Sequence, residues 1–141
     1  MKQIKPMIYQ KNRKMELLHK EEYEGFNFYI LNLGTHPTAY IEIPKGHKLY
    51  EKDYNEIYDM GYDIDVHGGL TYSDNSLMCI KSENWFIGWD YAHAGDYCGY
   101  YEETELQGFK SFMDVNCKKW TTEEIIEECK RAIKQIKEMK D

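Results

Sequence analysis

The segment from Thr121 to Lys137 constrains the fold more than any other, because it spells an amphipathic helix that needs a partner surface. Thr121 and Glu124 stand at capping-box spacing, and Trp120 and Ile125 at hydrophobic-staple spacing. Ile126, Cys129, Ile133 and Ile136 fall on one face at helical spacing. Glu123, Glu124, Glu127 and Glu128 come early, and Lys130, Arg131, Lys134 and Lys137 late. That order complements the helix dipole. Such a helix draws most of its stability from packing its stripe. The rest of the chain must therefore supply an apolar face, which makes this helix a structural lid on a sheet.

Strand-forming residues upstream provide that face. Phe26 to Leu33 is rich in aromatic and branched residues, Gly34-Thr35-His36-Pro37 breaks the run, and Ala39 to Ile43 resumes it. Two such runs around a Gly/Pro turn read as a β-hairpin. Pro44 to Lys48 reads as a loop, and Tyr50 to Met60 as an acidic stretch with a helical turn. Tyr62 to His67 alternates apolar and polar residues, the pattern of a strand with one wet face. Gly68-Gly69 follows, and Leu70-Thr71-Tyr72 continues the strand past a bulge. Asn84 to Asp90 is a further strand, with Trp85, Ile87 and Trp89 on one face and Phe86, Gly88 and Asp90 on the other. The expected architecture is α+β: an antiparallel sheet of about four or five strands with the C-terminal helix packed on one face. Residues 23–141 form a single domain behind a basic N-terminal arm, 1–22, in which Met15-Glu16-Leu17-Leu18 is a helical turn or irregular.

Charge and cysteines exclude several function classes. The net charge is −7, against the basic face that duplex nucleic-acid binders carry. Residues 1–20 hold six cations against Glu16, a local +5, so the remainder carries −12. That arm reads as a solvated basic segment. Cys79, Cys98, Cys117 and Cys129 show no C-x-x-C spacing and read as reduced thiols in a reducing compartment. No apolar run approaches the ~18 residues of a membrane span, and the first residues lack the apolar stretch of a signal peptide. The expected setting is the cytoplasm. P-loop, dinucleotide fingerprint and nucleophile-elbow patterns are absent, and no motif calls for a cofactor.

The chemistry-bearing residues gather after two of the strands. Alternation puts Asp63, Asp65 and His67 on one face, and the glycines after His67 permit close approach of a backbone or ligand. Asp90, His93 and Asp96 follow a second strand at three-residue intervals. If the two strands are neighbours, His67, Asp90, His93 and Asp96 converge at the sheet edge. Two imidazoles and two carboxylates suit a transition metal or general acid/base work. They equally suit the ordinary task of satisfying buried backbone groups. Lys45, His47, Lys48 and Lys52, beside Tyr50, Tyr54 and Tyr58, form a basic cluster able to clamp a phosphate or serve as a solvated loop.

Three motifs carry a resemblance. They are Ile43-Pro44-Lys45-Gly46-His47 with Lys52-Asp53-Tyr54, then His67-Gly68-Gly69-Leu70-Thr71-Tyr72-Ser73, then Ile87-Gly88-Trp89-Asp90-Tyr91-Ala92-His93-Ala94-Gly95-Asp96. Over roughly residues 23–100 the chain resembles a family of small proteins from phages and prophages of Gram-positive bacteria. It departs where Glu51 precedes Lys52-Asp53, since the family often has Gly there, and where Trp89 replaces the commoner Phe. The resemblance brings no catalytic roles. It implies an accessory protein of the bacterial host cytosol, of the kind that counters host defence by capturing nucleotide signals. The expected function is thus to bind and sequester a small, nucleotide-like ligand without a cofactor or metal. The site would comprise Lys45, His47, His67, Thr71, Tyr72, Trp89, Asp90, His93 and Asp96. The alternatives are a metal-dependent hydrolase of such a ligand and a blocker of a host protein. Self-association is compatible with every one of these.

Overall fold

The computed structural model describes residues 15–34, 36–77, 80, 82–92, 96 and 118–139. Among them, strands β1 (Glu16–Tyr23), β2 (Phe26–Asn32), β3 (Pro37–Ile43), β4 (Tyr72–Asp74) and β5 (Trp85–Asp90) form one antiparallel sheet in the order β1-β2-β3-β5-β4. Helix α1 (Tyr54–Asp59) lies between β3 and β4, and α2 (Thr122–Lys137) closes the chain. This is the α+β arrangement expected, with α2 packed against β1, β2 and β3.

The alternation of each strand sorts its residues between two faces. Phe28, Ile30, Ala39, Ile41, Ile43, Ile87 and Trp89 meet Ile125, Cys129, Ala132, Ile133 and Ile136 of α2. Tyr29, Leu31, Tyr40 and Phe86 face the other way and pack with Leu77. The buried stripe of α2 is therefore centred on Ile125, Ala132 and Ile133, with Ile126 only half-buried at its margin. Both halves of the capping box at Thr121 and Glu124 are made. No helix among the described residues is long and apolar enough to cross a membrane.

Gly88 shows why β3 and β5 must lie close. A Cβ there would sit 2.5 Å from the Ala39 carbonyl and 2.5 Å from the Tyr40 ring. The ring of Tyr40 crosses the space that a side chain would fill.

Two expectations are corrected. Residues 16–22, expected in an irregular or helical arm, belong to β1 and pair with β2. Tyr62 to His67 is not a strand, although its alternation holds, with Ile64 and Val66 buried and Asp63 and Asp65 exposed. The edge of β5 that it would pair with is occupied by β4. Part of its backbone is met by side chains of α2 instead. Gln135 bonds both Asp65 N–H (2.8 Å) and Asp65 C=O (3.3 Å), and Glu128 accepts from His67 N–H (3.1 Å).

Candidate functional site

Where β5 ends, the chain carries Trp89 and Tyr91 toward α2, and a polar cluster forms inside the apolar interface. Trp89 Nε1 donates to the Tyr91 hydroxyl at 2.9 Å, and that hydroxyl donates to Glu128 Oε1. Glu128 sits on the buried stripe of α2, a position a carboxylate occupies only when paired. Its other oxygen accepts from His67 N–H and from Arg131 Nη2 at 3.0 Å. Burial in the interface and the bond to Glu128 push the Tyr91 hydroxyl well above the ordinary tyrosine range. It remains a neutral donor at any physiological pH.

His67 lies flat on Tyr91, with ring centroids 5.1 Å apart and planes 5° from parallel. Its Nε2 donates to Asp96 Oδ2 at 2.7 Å, and Trp120 Nε1 donates to Asp96 Oδ1 at 3.0 Å. Trp120 closes the cluster 4.9 Å from His67 and 5.0 Å from Tyr91. Asp96 is 4% exposed, while a quarter of the His67 side chain reaches solvent. Gly69 lets the chain turn past this cluster. It has φ +80°, and a Cβ there would stand 3.1 Å from the Tyr58 hydroxyl, which accepts from Leu70 N–H at 3.1 Å. The result is an imidazole fixed from both sides, with one carboxylate on its ring and another on its backbone. Such a group can hold a proton at Nε2 or present a fixed polar edge to a ligand.

Beside the cluster, the described residues enclose a cleft of about 300 Å³. Its apolar lining is Leu18, Pro37 and Ile125, and its polar lining is Asn32, Lys119, Thr121 and Thr122 with Trp120 as the ring. Lys118 Nζ stands 4.3 Å over the Trp120 ring and 2.9 Å from Glu124 Oε2.

The residues expected from sequence to share one site fall in three places. His67 and Asp96 are joined, and Trp89 belongs to the same network through Tyr91, although at 1% exposure it cannot touch a ligand. Thr71 donates to Asp90 Oδ2 at 3.3 Å, while Tyr72 packs edge-on against Tyr40 at 5.0 Å on the face away from α2. Lys45 and His47 lie at the opposite end of β5. Lys45 N–H bonds Asn84 Oδ1, Lys45 Nζ pairs with Glu83 at 2.8 Å, and the His47 ring meets Phe26 edge-on. Asn84 and Asp90 stand six residues apart along the strand, about 20 Å of chain. His93 lies outside the described residues. Among those that are described, no group of three or more His, Cys, Asp or Glu side chains converges as a metal would require.

Tyr91, Trp120, Glu128 and Arg131 were not foreseen as members. Glu128 had a legible signal, since it falls between Ile125 and Ala132 on the helix's buried stripe. Tyr91 continues the Ile87–Trp89 face by one more alternation. Trp120 was legible only as a staple. Comparisons with known proteins add no kinship: no family model, no curated protein and no solved structure matches this chain.

Proposed function

We propose that this protein binds a small polar ligand in the cleft beside the His67–Asp96 pair, with Trp120 as the ring that receives it. The observation carrying this reading is the buried Asp96 carboxylate, which fixes the Trp120 indole at the cleft wall and ties it to the His67 imidazole behind it. Pre-formed clefts with apolar walls and a few oriented polar groups are the usual setting for small molecules, and about 300 Å³ lies at the lower end of their range.

A nucleotide immune signal fits the chemistry best, in keeping with the likeness of the motifs to phage accessory proteins. A base stacking on Trp120 would displace Lys118 from the ring, losing a cation–π contact of about 0.5–1 kcal/mol. Lys118 and Lys119 would then meet the phosphates, and the threonines would meet hydroxyls. Sequestration needs no bond to be made or broken, so the protein acts as a sink for the signal.

The test is a melting-temperature screen of cyclic and ADP-ribose-type nucleotides. A ligand at a hundred times its Kd should raise the melting temperature by roughly 5–10 °C. Trp120→Ala should abolish the shift, and Lys45→Glu, at the far end of β5, should leave it intact. The ligand should be recovered unchanged after denaturation. Recovery of a cleaved nucleotide would replace the sink by a hydrolase. No shift with any nucleotide, together with a bacterial protein that co-purifies, would replace it by a blocker of that protein.

A further inference from the structure

We propose that Asn32 makes the cleft selective for an oxopurine, guanine or hypoxanthine, over adenine. The proposal rests on the reading of this cleft as a nucleotide site and narrows it to one class of base.

The cleft has two unlike walls. The sheet supplies Leu18, Asn32 and Pro37, while the start of α2 and the residues before it supply Lys119, Trp120, Thr121, Thr122 and Ile125. Strand alternation accounts for the sheet wall. Asn32 and Pro37 are partners across β2 and β3, in step with Ile30 and Ala39, so both stand on the α2 face. Leu18 joins them through a bulge. Leu17 pairs with Leu31 and His19 with Ile30, which leaves Leu18 as the extra residue of β1. Lys119 is the one cation among the residues lining the cleft, and it lies on the helix wall. A phosphate therefore belongs at that wall, and a base stacked on Trp120 has Leu18 and Pro37 on its other side.

One side chain sets what the sheet wall can read on such a base. Leu18 and Pro37 carry no polar side-chain atom, Pro37 has no N–H, and its carbonyl accepts Tyr91 N–H at 3.1 Å. Asn32 Oδ1 accepts Gly34 N–H at 2.9 Å. A backbone N–H can bond only the oxygen of an amide, so this contact fixes which end is which. The oxygen is turned to the β2–β3 turn, and the NH2 group is the end that Asn32 has for a ligand.

Asparagine reads adenine by using both ends at once, its oxygen on the amino group and its NH2 on N7. Here the oxygen is committed to Gly34. An NH2 group suits two adjacent acceptors, and N7 and O6 of an oxopurine are such a pair. Adenine instead sets an amino donor beside N7, so donor would face donor.

Calorimetric titration of the full chain with cyclic IMP and cyclic AMP tests this, since the two share ribose and phosphate and differ only in the carbonyl or amino edge of the purine. The wild type should bind cyclic IMP about tenfold more tightly. Asn32→Asp keeps an oxygen for Gly34 N–H and replaces the NH2 by an acceptor. The preference should then invert, to about tenfold in favour of cyclic AMP. The added charge weakens both nucleotides alike, so the ratio is the readout, and an unchanged melting curve of the free variant shows that the fold is kept. Wild-type protein that binds cyclic AMP as tightly as cyclic IMP would overturn the oxopurine proposal and leave the cleft reading standing. The same ratio in Asn32→Asp as in the wild type would also overturn it, because Asn32 would not be the reader. If neither nucleotide binds, the proposal falls, and the cleft reading is decided separately by the wider melting-temperature screen with Trp120→Ala.

Discussion

Tyr91 is the residue on which the polar cluster turns, since its hydroxyl accepts from Trp89 and donates to Glu128 while its ring carries His67. Tyr91→Phe keeps the ring but leaves an indole N–H and a carboxylate oxygen without that partner in a dry interface. Urea denaturation should show a loss of about 2–4 kcal/mol. Glu42, on the face away from α2, is a second buried carboxylate with a different consequence. Burial pushes its carboxyl up, but hydrogen bonds from Ser82, Tyr29 and Asn84 outweigh this and hold it below the ordinary value of 4.5. The ionised form is thus favoured by folding. Its contribution is fully present above the unfolded value and is lost as pH falls through the lower folded one. The stability gap between the wild type and Glu42→Gln should therefore be constant at neutral pH and shrink progressively below about pH 4.5. A gap that widened on acidification would contradict the arrangement.

At the scale of elements, α2 does more than cover the sheet. Its buried stripe anchors the sheet, while Glu128 and Gln135 reach out to the backbone of the 62–67 segment. That segment is alternating, yet Asp65 and His67 find their backbone partners on a helix rather than on a neighbouring strand. Ile133 is fully buried in the contact, so Ile133→Asp should cost about 4 kcal/mol or more by placing an unpaired carboxylate there. The melting curve and the near-ultraviolet spectrum of the aromatic cluster should collapse together. A variant that loses the aromatic signal but keeps its melting temperature would show that α2 is dispensable to the core.

Across the whole molecule, burial falls from the middle of the sheet to its edge. Every residue of β3 is buried, whereas β1 is largely exposed and α1 contributes mainly Ile57 to the core. Native-state hydrogen exchange should follow this gradient, slowest in β3 and its partners β2 and β5, fastest in α1. The same architecture separates the two ends of β5, so that a basic loop at one end and the His67 cluster at the other cannot grip one small ligand together.

Sequence by itself determined the elements whose signals are local. The capping box at Thr121, the stripe of α2, the β2–β3 hairpin around its Gly/Pro turn and the two faces of β5 all follow from periodicity and chain stiffness, which act within a few residues. Burial of Ile64 and Val66 was legible for the same reason. Tertiary structure alone decided which backbone groups found which partners. That the 62–67 segment bonds to α2, that 16–23 completes the sheet, and that Asp96 joins His67 to Trp120 depend on contacts between residues far apart in sequence. The split of the expected site has the same origin. His67 and Asp96 come together and Lys45 is left a strand-length away because strand order and direction, not spacing along the chain, set the distances between motifs.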